Sequence, residues 1–435
     1  MLKLLFADER GQVYEHPELL ALTGAGEAAL PMEPPSPLPA HASLAVLPGR
    51  RPLGFDPARG QVVELSEFRI GKRLLRPSAV AAVLPPGWTR SELPAFRKSA
   101  IAPLLPQWAY TAAGWDDQAG RHVAWALHTD KRTHWDPATH STPDLAKLVQ
   151  QRLAGDDNPL LRQLSKCALG YRCFTAQNTF YARDEGAIPA SSGCNARCVG
   201  CISEQPPEGP PASHQRLERS PDAAFMARIG IDHLRSAPGR TMVSFGQGCE
   251  GEPLTRAGEI AQAIRAMREA TPRGSININT NGSLPENLSL LIDAGLDACR
   301  VSLNSAHQPL YEAYYQPINY GWEEVRASIR LARRRGVYTS INLLSFPGVT
   351  DQEGEAEKLC ELVAKERIDQ VQARSLAIDP DQYLAVAKGH SAGGRRIGLV
   401  ELLKRLKRAR RGLVIGNFAR GLNERLSGSW RRGRG

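Results

Sequence analysis

Long hydrophobic runs are missing from this sequence of 435 residues. No segment approaches the roughly 20 consecutive apolar residues that a helix needs to cross a bilayer. Residues 1–8 are briefly apolar, but they end in an acidic residue and lack a cleavage site. They are predicted to form a first strand rather than a signal peptide. We therefore expect a cytoplasmic protein that does not bind a membrane.

Cysteine is scarce, because the chain has eight cysteines, too few for a disulfide scaffold at this length. Five of them nevertheless fall within 35 residues, namely Cys167, Cys173, Cys194, Cys198 and Cys201. Such clustering indicates metal binding rather than cross-linking.

Excess positive charge is missing from most of the chain. Residues 395–435 carry 13 of the 55 Lys and Arg residues against two acids, while the other 394 residues carry 42 basic and 43 acidic groups. The net charge of +10 therefore belongs to the C-terminal segment. Residues 404–411 would contact RNA phosphates or form one solvated helix face, and the sequence leaves both interpretations open.

What the sequence does contain is a loop with three thiols at the spacing C-x3-C-x2-C, formed by Cys194, Cys198 and Cys201. Thiols this close can bind one soft metal centre without help from distant residues. No further Cys or His follows before His214, so a nearby fourth ligand is lacking. An iron–sulfur cube held by three thiolates leaves one iron open to another molecule. The alternatives are a zinc knuckle with a distant fourth ligand, or reduced cysteines packed in a turn.

The sequence changes character near residue 185. Before it, short alternating segments interrupted by proline predict β-structure, including a hairpin formed by residues 110–115 and 122–127. After it, apolar strand segments alternate with helical stretches, as in βα units with a parallel sheet. The predicted divisions are an N-terminal β-rich accessory region (1–165), a Cys-containing connector (166–184), an α/β core (185–385) and a basic, helical C-terminal extension (386–435).

Four of the seven tryptophans lie between residues 108 and 135. They would form either an aromatic platform for a substrate ring or the core of a small β-domain, and the second interpretation is favoured. His128, His134 and His140 lack the spacing of metal ligands and are predicted to be solvated loop residues.

Six βα units predict a partial barrel of the TIM type, with strands at residues 187–191, 241–245, 275–280, 298–304, 337–345 and 370–376. Buried parallel strands are usually apolar throughout, but here every second residue is polar. The polar positions of one parity are Asn277, Asn279, Asn281, Arg300, Ser302, Asn304, Ser340, Asn342, Gln370, Gln372 and Arg374. The repeated alternation predicts a polar barrel lumen that holds a polar ligand.

The order of these motifs resembles the radical S-adenosylmethionine (radical SAM) enzymes. The resemblance covers the cysteine loop, Gly251-Glu252-Pro253-Leu254 after strand two, Thr280-Asn281-Gly282 after strand three, and the segments 300–304 and 346–349. It implies an enzyme with a partial (βα)6 barrel in which Cys194, Cys198 and Cys201 hold a [4Fe–4S] cluster that needs an external one-electron donor. The open iron would bind SAM, and the cleaved SAM would yield a radical that removes hydrogen from a substrate.

The resemblance also implies the residues that bind SAM. They are Gly251 and Glu252 at the amino group, Asn281 beside the pocket, Ser302 at the ribose or carboxylate, and Asn342 near the adenine. Glu250 stands where the family usually has a glycine, so this chain departs from the family pattern at one position of the glycine-rich loop.

Other assignments stay open. Cys167 and Cys173, with Cys249, would hold an auxiliary iron–sulfur cluster or be buried thiols. A cobalamin-dependent methylase is disfavoured because the sequence has no D-x-H-x-x-G motif. A modified RNA, a peptide or partner enzyme, and a small metabolite all stand as substrates. The rival interpretation is a non-catalytic zinc or iron–sulfur module that contacts nucleic acid.

Overall fold

The computed structural model describes residues 1–24, 28–237 and 241–421. An antiparallel β-region and a short helical connector precede a curled parallel sheet covered by helices. None of the helices in these ranges is long and apolar enough to span a membrane.

The N-terminal region is built mainly from a ten-stranded sheet whose central path runs β11-β5-β2-β1-β9-β12-β13-β3. β4 and β6 pair with β9 and β5, whereas β7–β8 and β10–β14 form separate ribbons. The strands described in this region are β1 (Leu2–Ala7), β2 (Val13–Ala21), β3 (Ser36–Pro37), β4 (Ser43–Leu47), β5 (Arg50–Asp56), β6 (Gln61–Glu64), β7 (Phe68–Ile70), β8 (Arg73–Leu75), β9 (Ser78–Val83), β10 (Trp88–Arg90), β11 (Phe96–Lys98), β12 (Thr111–Asp116), β13 (Arg121–Ala124) and β14 (Ala126–His128).

The predicted hairpin is confirmed, since β12 and β13 pair antiparallel with Ala113 opposite Ala124. Trp125 is fully buried and Trp135 is 3% exposed, as expected for core residues, whereas Trp108 is 49% exposed. Most of this aromatic cluster therefore stabilises the β-region and its junction with the helices.

A helical connector follows the β-region. It comprises α1 (Pro137–His140), α2 (Leu145–Gly155), α3 (Pro159–Ser165), a π-helical turn (Lys166–Gly170) and α4 (Phe174–Tyr181). The prediction that His140 is solvated is wrong. Its ring is buried and stacks on Phe174 with centroids 3.8 Å apart and on Trp135 at 5.6 Å.

The parallel sheet runs in chain order from β15 to β21. Its strands are β15 (Glu185–Ala187), β16 (Met242–Phe245), β17 (Ser275–Thr280), β18 (Ala298–Leu303), β19 (Tyr338–Ser345), β20 (Gln370–Ser375) and β21 (Val414–Gly416). Its helices are α5 (Ala223–Ser236), α6 (Ala257–Ala270), α7 (Pro285–Ala294), α8 (Gln308–Tyr315), α9 (Trp322–Arg334), α10 (Glu353–Lys365), α11 (Pro380–Ala387) and α12 (Leu399–Ala409), with a 3-10 turn at Pro253–Arg256. The predicted α/β partial barrel is confirmed.

The first strand lies earlier than predicted, because it ends at Ala187 rather than Ser191. The backbone N–H groups of Ala190 and Ser191 donate to the Glu250 carboxylate instead of continuing a strand ladder. The segment after Ala187 is therefore a loop fixed by a side chain.

The described part of the basic extension contributes α12 and a seventh strand, β21, to the barrel sheet. Several of its arginines have carboxylate partners: Arg405 and Arg408 pair with Glu401, and Arg410 pairs with Asp369. This arrangement gives RNA binding no support, and the remainder of the extension, residues 422–435, lies outside the described residues. The domain boundaries stay a prediction.

The predicted alternation across the strands is confirmed. The apolar positions that face the helices are at most 1% exposed: Ile276, Ile278, Val301, Leu303, Ile341, Leu343, Val371 and Ala373. The polar positions lie in register on the other face, with Arg300 beside Asn279 and Ser340, and Asn342 beside Ser302 and Gln372. Asn304 is an exception, because it follows β18 and donates to the Leu310 carbonyl and the Tyr383 hydroxyl.

The β-region docks on the end of β20 through two buried arginines. The Arg90 guanidinium donates to the carbonyls of Tyr110 and Leu376, at 3.2 and 2.7 Å. Arg50 pairs with Asp379, which caps α11, at 2.7 Å, and both side chains are fully buried. A buried charge is costly unless it is paired or hydrogen-bonded, and here Arg50 has a carboxylate partner and Arg90 has two carbonyl acceptors. The two arginines therefore fix the β-region against the barrel.

Candidate active site

The three-thiol loop follows β15 at the carboxyl end of the sheet. Its backbone is held by the C-terminal end of α8, because the N–H groups of Arg197 and Val199 donate to the carbonyls of Tyr315 and Tyr314, at 3.1 and 2.9 Å. The Asn195 carbonyl accepts from the Ile318 N–H at 2.9 Å. The loop therefore has a defined conformation set by protein contacts alone.

The three thiols are neighbours. Burial raises the pKa of the Cys198 thiol well above its ordinary value, and the adjacent thiols of Cys201 and Cys194 raise it further. Burial and the Glu252 carboxylate raise the pKa of Cys194 to about 11. Cys201 Sγ lies 3.5 Å from the Arg216 guanidinium, which donates to it. Within the described ranges, no group of three or more His, Cys, Asp or Glu side chains is arranged to hold a single metal ion.

The glycine-rich loop after β16 touches the cysteine loop through its backbone. The Gly251 N–H donates to the Ser191 carbonyl at 2.7 Å, and the Glu252 N–H donates to the Gly193 carbonyl at 2.9 Å. A Cβ atom on residue 251 would stand 1.9 Å from the Gly193 oxygen. Only glycine allows the two loops to approach this closely.

Glu250, the departure from the family pattern, is an anchor for both loops. Its buried carboxylate accepts from the N–H groups of Ala190, Ser191 and Gln247, at 2.6, 2.9 and 2.5 Å. Burial raises its pKa to about 7. The acid in place of the usual glycine is visible in the sequence, but its backbone partners Ala190 and Ser191 lie 60 and 59 positions away.

Glu252 joins the glycine-rich loop to the turn after β17. Its carboxylate accepts from Thr280 Oγ1 at 2.5 Å and from the N–H groups of Asn281 and Leu254 at 2.8 and 2.9 Å. Burial raises its pKa to about 7. The Asn281 amide in turn donates to Asn195 Oδ1 in the cysteine loop at 2.9 Å. The structure thus brings Gly251, Glu252 and Asn281 together beside the thiols.

Ser302 and Asn342 lie farther round the lumen, on β18 and β19. Asn342 Nδ2 donates to Ser302 Oγ at 3.4 Å, while the buried Asn342 Oδ1 has no partner among the described residues. Both side chains are partly accessible, in contrast to the buried apolar residues on the other face of these strands. They are therefore available to a ligand in the lumen.

A second group of thiols lies behind the glycine-rich loop. A hydrogen bond of its S–H group with the Cys167 side chain, together with burial, raises the pKa of the Cys249 thiol far above its ordinary value. Cys173 lies close enough for the charge of Cys249 to raise its own pKa, in addition to the effect of burial. The three cysteines that the sequence analysis grouped are thus neighbours in the fold.

One contact to the cysteine loop comes from the N-terminal region and was not foreseen. Gln107 Nε2 donates to the Cys201 carbonyl at 2.9 Å, and the same carbonyl accepts from Gln205 Nε2 at 2.7 Å. Gln107 and Cys201 are 94 positions apart in the chain, so no local pattern in the sequence could have identified this contact.

The sequence comparisons locate a known domain in this part of the chain. Residues 188–360 match the model of the Radical SAM superfamily. GTP 3',8-cyclase from Chlorobaculum tepidum is 25% identical over 216 residues. That alignment covers 48% of this chain and 58% of the cyclase, so the chain spans less than two thirds of the length of this relative.

Two solved structures are also similar to parts of this chain. Methylornithine synthase (PylB) is 14% identical, with 63% of this chain and 75% of that chain covered and a TM-score of 0.38. A radical SAM methyltransferase from Sphaerobacter thermophilus is 18% identical, with 48% and 65% covered and a TM-score of 0.34. The match to the family model coincides with the cysteine loop and the strands that surround it. Residues 188–360 of this chain are therefore similar to the radical SAM superfamily.

Proposed function

We propose that this chain is a radical SAM enzyme that reductively cleaves SAM on a [4Fe–4S] cluster. When bound, the cluster would supply the electron that converts SAM to methionine and a 5'-deoxyadenosyl radical, which removes hydrogen from a substrate. One observation carries the proposal: the three-thiol loop and the Glu252–Thr280–Asn281 network meet at the carboxyl end of a barrel with a polar, accessible lumen.

The donor set fits an iron–sulfur cluster. Cys194, Cys198 and Cys201 supply three soft sulfur ligands from one loop. In a cube, each thiolate binds a different iron, so the three sulfurs need not converge on one ion position. Arg216, which donates to Cys201 Sγ, would stabilise negative charge on that ligand. The backbone contacts from Tyr314 and Tyr315 would hold the loop in place during assembly.

The residues assigned to SAM fit its amino and polar groups. A carboxylate has about four acceptor positions. Glu252 uses three of them within the protein, so one stays available for an ammonium group. Asn342 offers an unpaired acceptor in the lumen, and Ser302 lies beside it. Gly251 lets these residues approach the thiol loop. We propose that these residues, with Asn281, bind SAM.

The cluster and the cleavage reaction are tested together. After anaerobic reconstitution and reduction with SAM present, we expect 5'-deoxyadenosine by mass spectrometry. Cys198→Ala should abolish this product, whereas Cys360→Ala, on α10 away from the loop, should retain it. A colourless protein that binds one zinc ion would contradict the proposal and support the alternative of a non-catalytic zinc-binding module.

A second cluster at Cys167, Cys173 and Cys249 is a further proposal, supported by the proximity of these three thiols. Its test is the iron content of a variant in which Cys194, Cys198 and Cys201 are all replaced by alanine. Iron and sulfide that persist in this triple variant support the second cluster. A triple variant that folds but contains no iron would show that Cys167, Cys173 and Cys249 are buried thiols that hold no cluster.

A further inference from the structure

The charged residues of the barrel strands are few and unbalanced. Among the described strands β15–β21, the charged side chains are Glu185, Arg300 and Arg374. Glu185 accepts from Ser244 Oγ at 2.5 Å and lies 3.8 Å from the Arg300 guanidinium. Arg300 also donates to Gln372 Oε1 at 2.9 Å. Arg374, the second arginine, forms no ion pair of its own among the described residues, although the charges of Glu185 and Asp130 act on it from a distance.

The Arg374 guanidinium makes no hydrogen bond or ion pair within the described residues. Its ring contact is Phe418, whose centroid lies 5.7 Å away. The nearby Asp130 is already used by the Arg132 guanidinium and by the N–H groups of Asn417 and Phe418. Burial, together with the positive charge of Arg300, lowers the pKa of Arg374 to about 10. Such a cation is costly to keep unless a ligand pairs with it.

A second unsatisfied donor lies on the same face of β20. Gln372 is 1% exposed, and its Nε2 has no partner, because its Oε1 is the atom that faces Arg300. Residues two apart on a strand point to the same side and lie about 7 Å apart. The partly accessible residues of β17–β20 all lie on this inner face, with the exception of Ser375. A ligand in the lumen would therefore lie on the same face as these two donors.

We propose that Arg374 and Gln372 bind an anionic group of the substrate, a carboxylate or a phosphate, in the lumen. That the bound molecule is a substrate rests on the proposed function. A guanidinium binds both kinds of oxyanion with paired N–H donors, and the Gln372 amide adds a third donor. Arg300, on β18, donates to Gln372 and adds a second positive charge on the same face of the sheet. A neutral, apolar substrate would leave these donors unpaired, at a large cost in affinity.

SAM also carries a carboxylate, so SAM is the other candidate for the molecule whose anionic group binds Arg374. Glu252 and Asn281, proposed to bind SAM, follow β16 and β17, whereas Arg374 lies on β20, three strands from β17. Neighbouring strands are about 4.8 Å apart. This separation favours a second molecule as the ligand of Arg374.

The test is anion binding by the full-length reconstituted protein, measured by calorimetry with pyrophosphate, succinate and, as a neutral control, glycerol. We expect at least one anion to bind wild-type protein, with affinity at least tenfold weaker in Arg374→Gln and intermediate in Arg374→Lys, which keeps the charge but not the paired donors. Arg69→Gln removes an exposed arginine of β7 and should leave anion binding unchanged. Equal binding in wild type and Arg374→Gln, or no binding by wild type, would overturn the proposal.

Two further measurements separate the alternatives. Loss of the unpaired charge should leave the melting temperature of Arg374→Gln equal to or above that of wild type. A lower melting temperature with unchanged anion affinity would mean that Arg374 only packs on Phe418. A parallel loss of SAM affinity would assign the anion to the SAM carboxylate and reject the substrate site. Formation of 5'-deoxyadenosine by wild type reports on the proposed function independently of anion binding.

Discussion

Gly251 and Gly193 lie so close that a side chain on residue 251 would collide with the Gly193 carbonyl oxygen, at 1.9 Å from its Cβ. This contact joins the cysteine loop to the glycine-rich loop. It places Cys194 next to Glu252, whose carboxylate influences the pKa of that thiol. The relative position of the proposed cluster ligands and the proposed SAM ligands therefore depends on one backbone approach.

Gly251→Ala should separate the two loops, because the neighbouring atoms are backbone and cannot rotate away. We expect formation of 5'-deoxyadenosine to fall by more than tenfold, with reduced iron content after reconstitution. The matched control is Gly258→Ala at the exposed start of α6, where a Cβ meets no atom within 4 Å. A Gly251→Ala variant with wild-type iron content and product yield would contradict the proposed arrangement.

The barrel could be predicted because its strands obey two constraints at once. Helix-facing positions such as Ile278 and Val301 must be apolar to be buried, whereas Asn279 and Arg300 are polar and partly accessible on the inner face of the barrel. A period of two therefore remains visible in the sequence. The thiol loop could also be recognised from the sequence, since all three cysteines lie within eight residues.

The contacts that fix the site could not be predicted, because they join residues far apart in the chain. Glu250 binds the backbone of Ser191, and Gln107 reaches Cys201 from another region. A backbone N–H has no sequence signature, so its partner cannot be identified by residue type. His140 shows the same difficulty, because its burial depends on Phe174 and Trp135 and not on its own neighbours in sequence alone.

Asn342→Leu tests whether the unpaired Asn342 oxygen serves SAM. Within the described protein, the Oδ1 atom is buried without a partner, so its removal should leave the melting temperature unchanged or raise it. The affinity for SAM, measured by equilibrium dialysis, should fall about tenfold if a hydrogen bond to the ligand is lost and the ligand group stays buried. An unchanged SAM affinity would remove Asn342 from the SAM site, and a lower melting temperature would indicate a structural role.

Arg50→Met tests the docking of the β-region on the barrel. It leaves the fully buried Asp379 without its cation, and loss of one partner of a buried pair costs about 3–5 kcal/mol. Arg51→Met is the control, because that neighbouring arginine is 57% exposed and forms a surface pair worth less than about 1 kcal/mol. The free energy of unfolding by urea measures both. Similar values for the two variants would show that the buried pair does not hold the regions together.

His140 should make the stability of the connector depend on pH. Burial between aromatic rings lowers the pKa of its imidazole below the ordinary value of 6.5, so the folded protein favours the neutral ring. The unfolded chain takes up a proton as the pH falls through 6.5, before the folded protein does, and stability is therefore lost as the pH falls below that value.

His140→Phe keeps a ring that can stack on Phe174 and removes the titrating group. We expect the decrease in melting temperature between pH 8 and pH 5.5 to be smaller in this variant than in wild type. The remaining decrease would come from the other histidines whose pKa values are lowered by burial, among them His16 and His233. His390→Gln, an exposed histidine after α11, is the control and should follow wild type. An identical pH dependence in His140→Phe and wild type would show that folding does not lower the pKa of this imidazole.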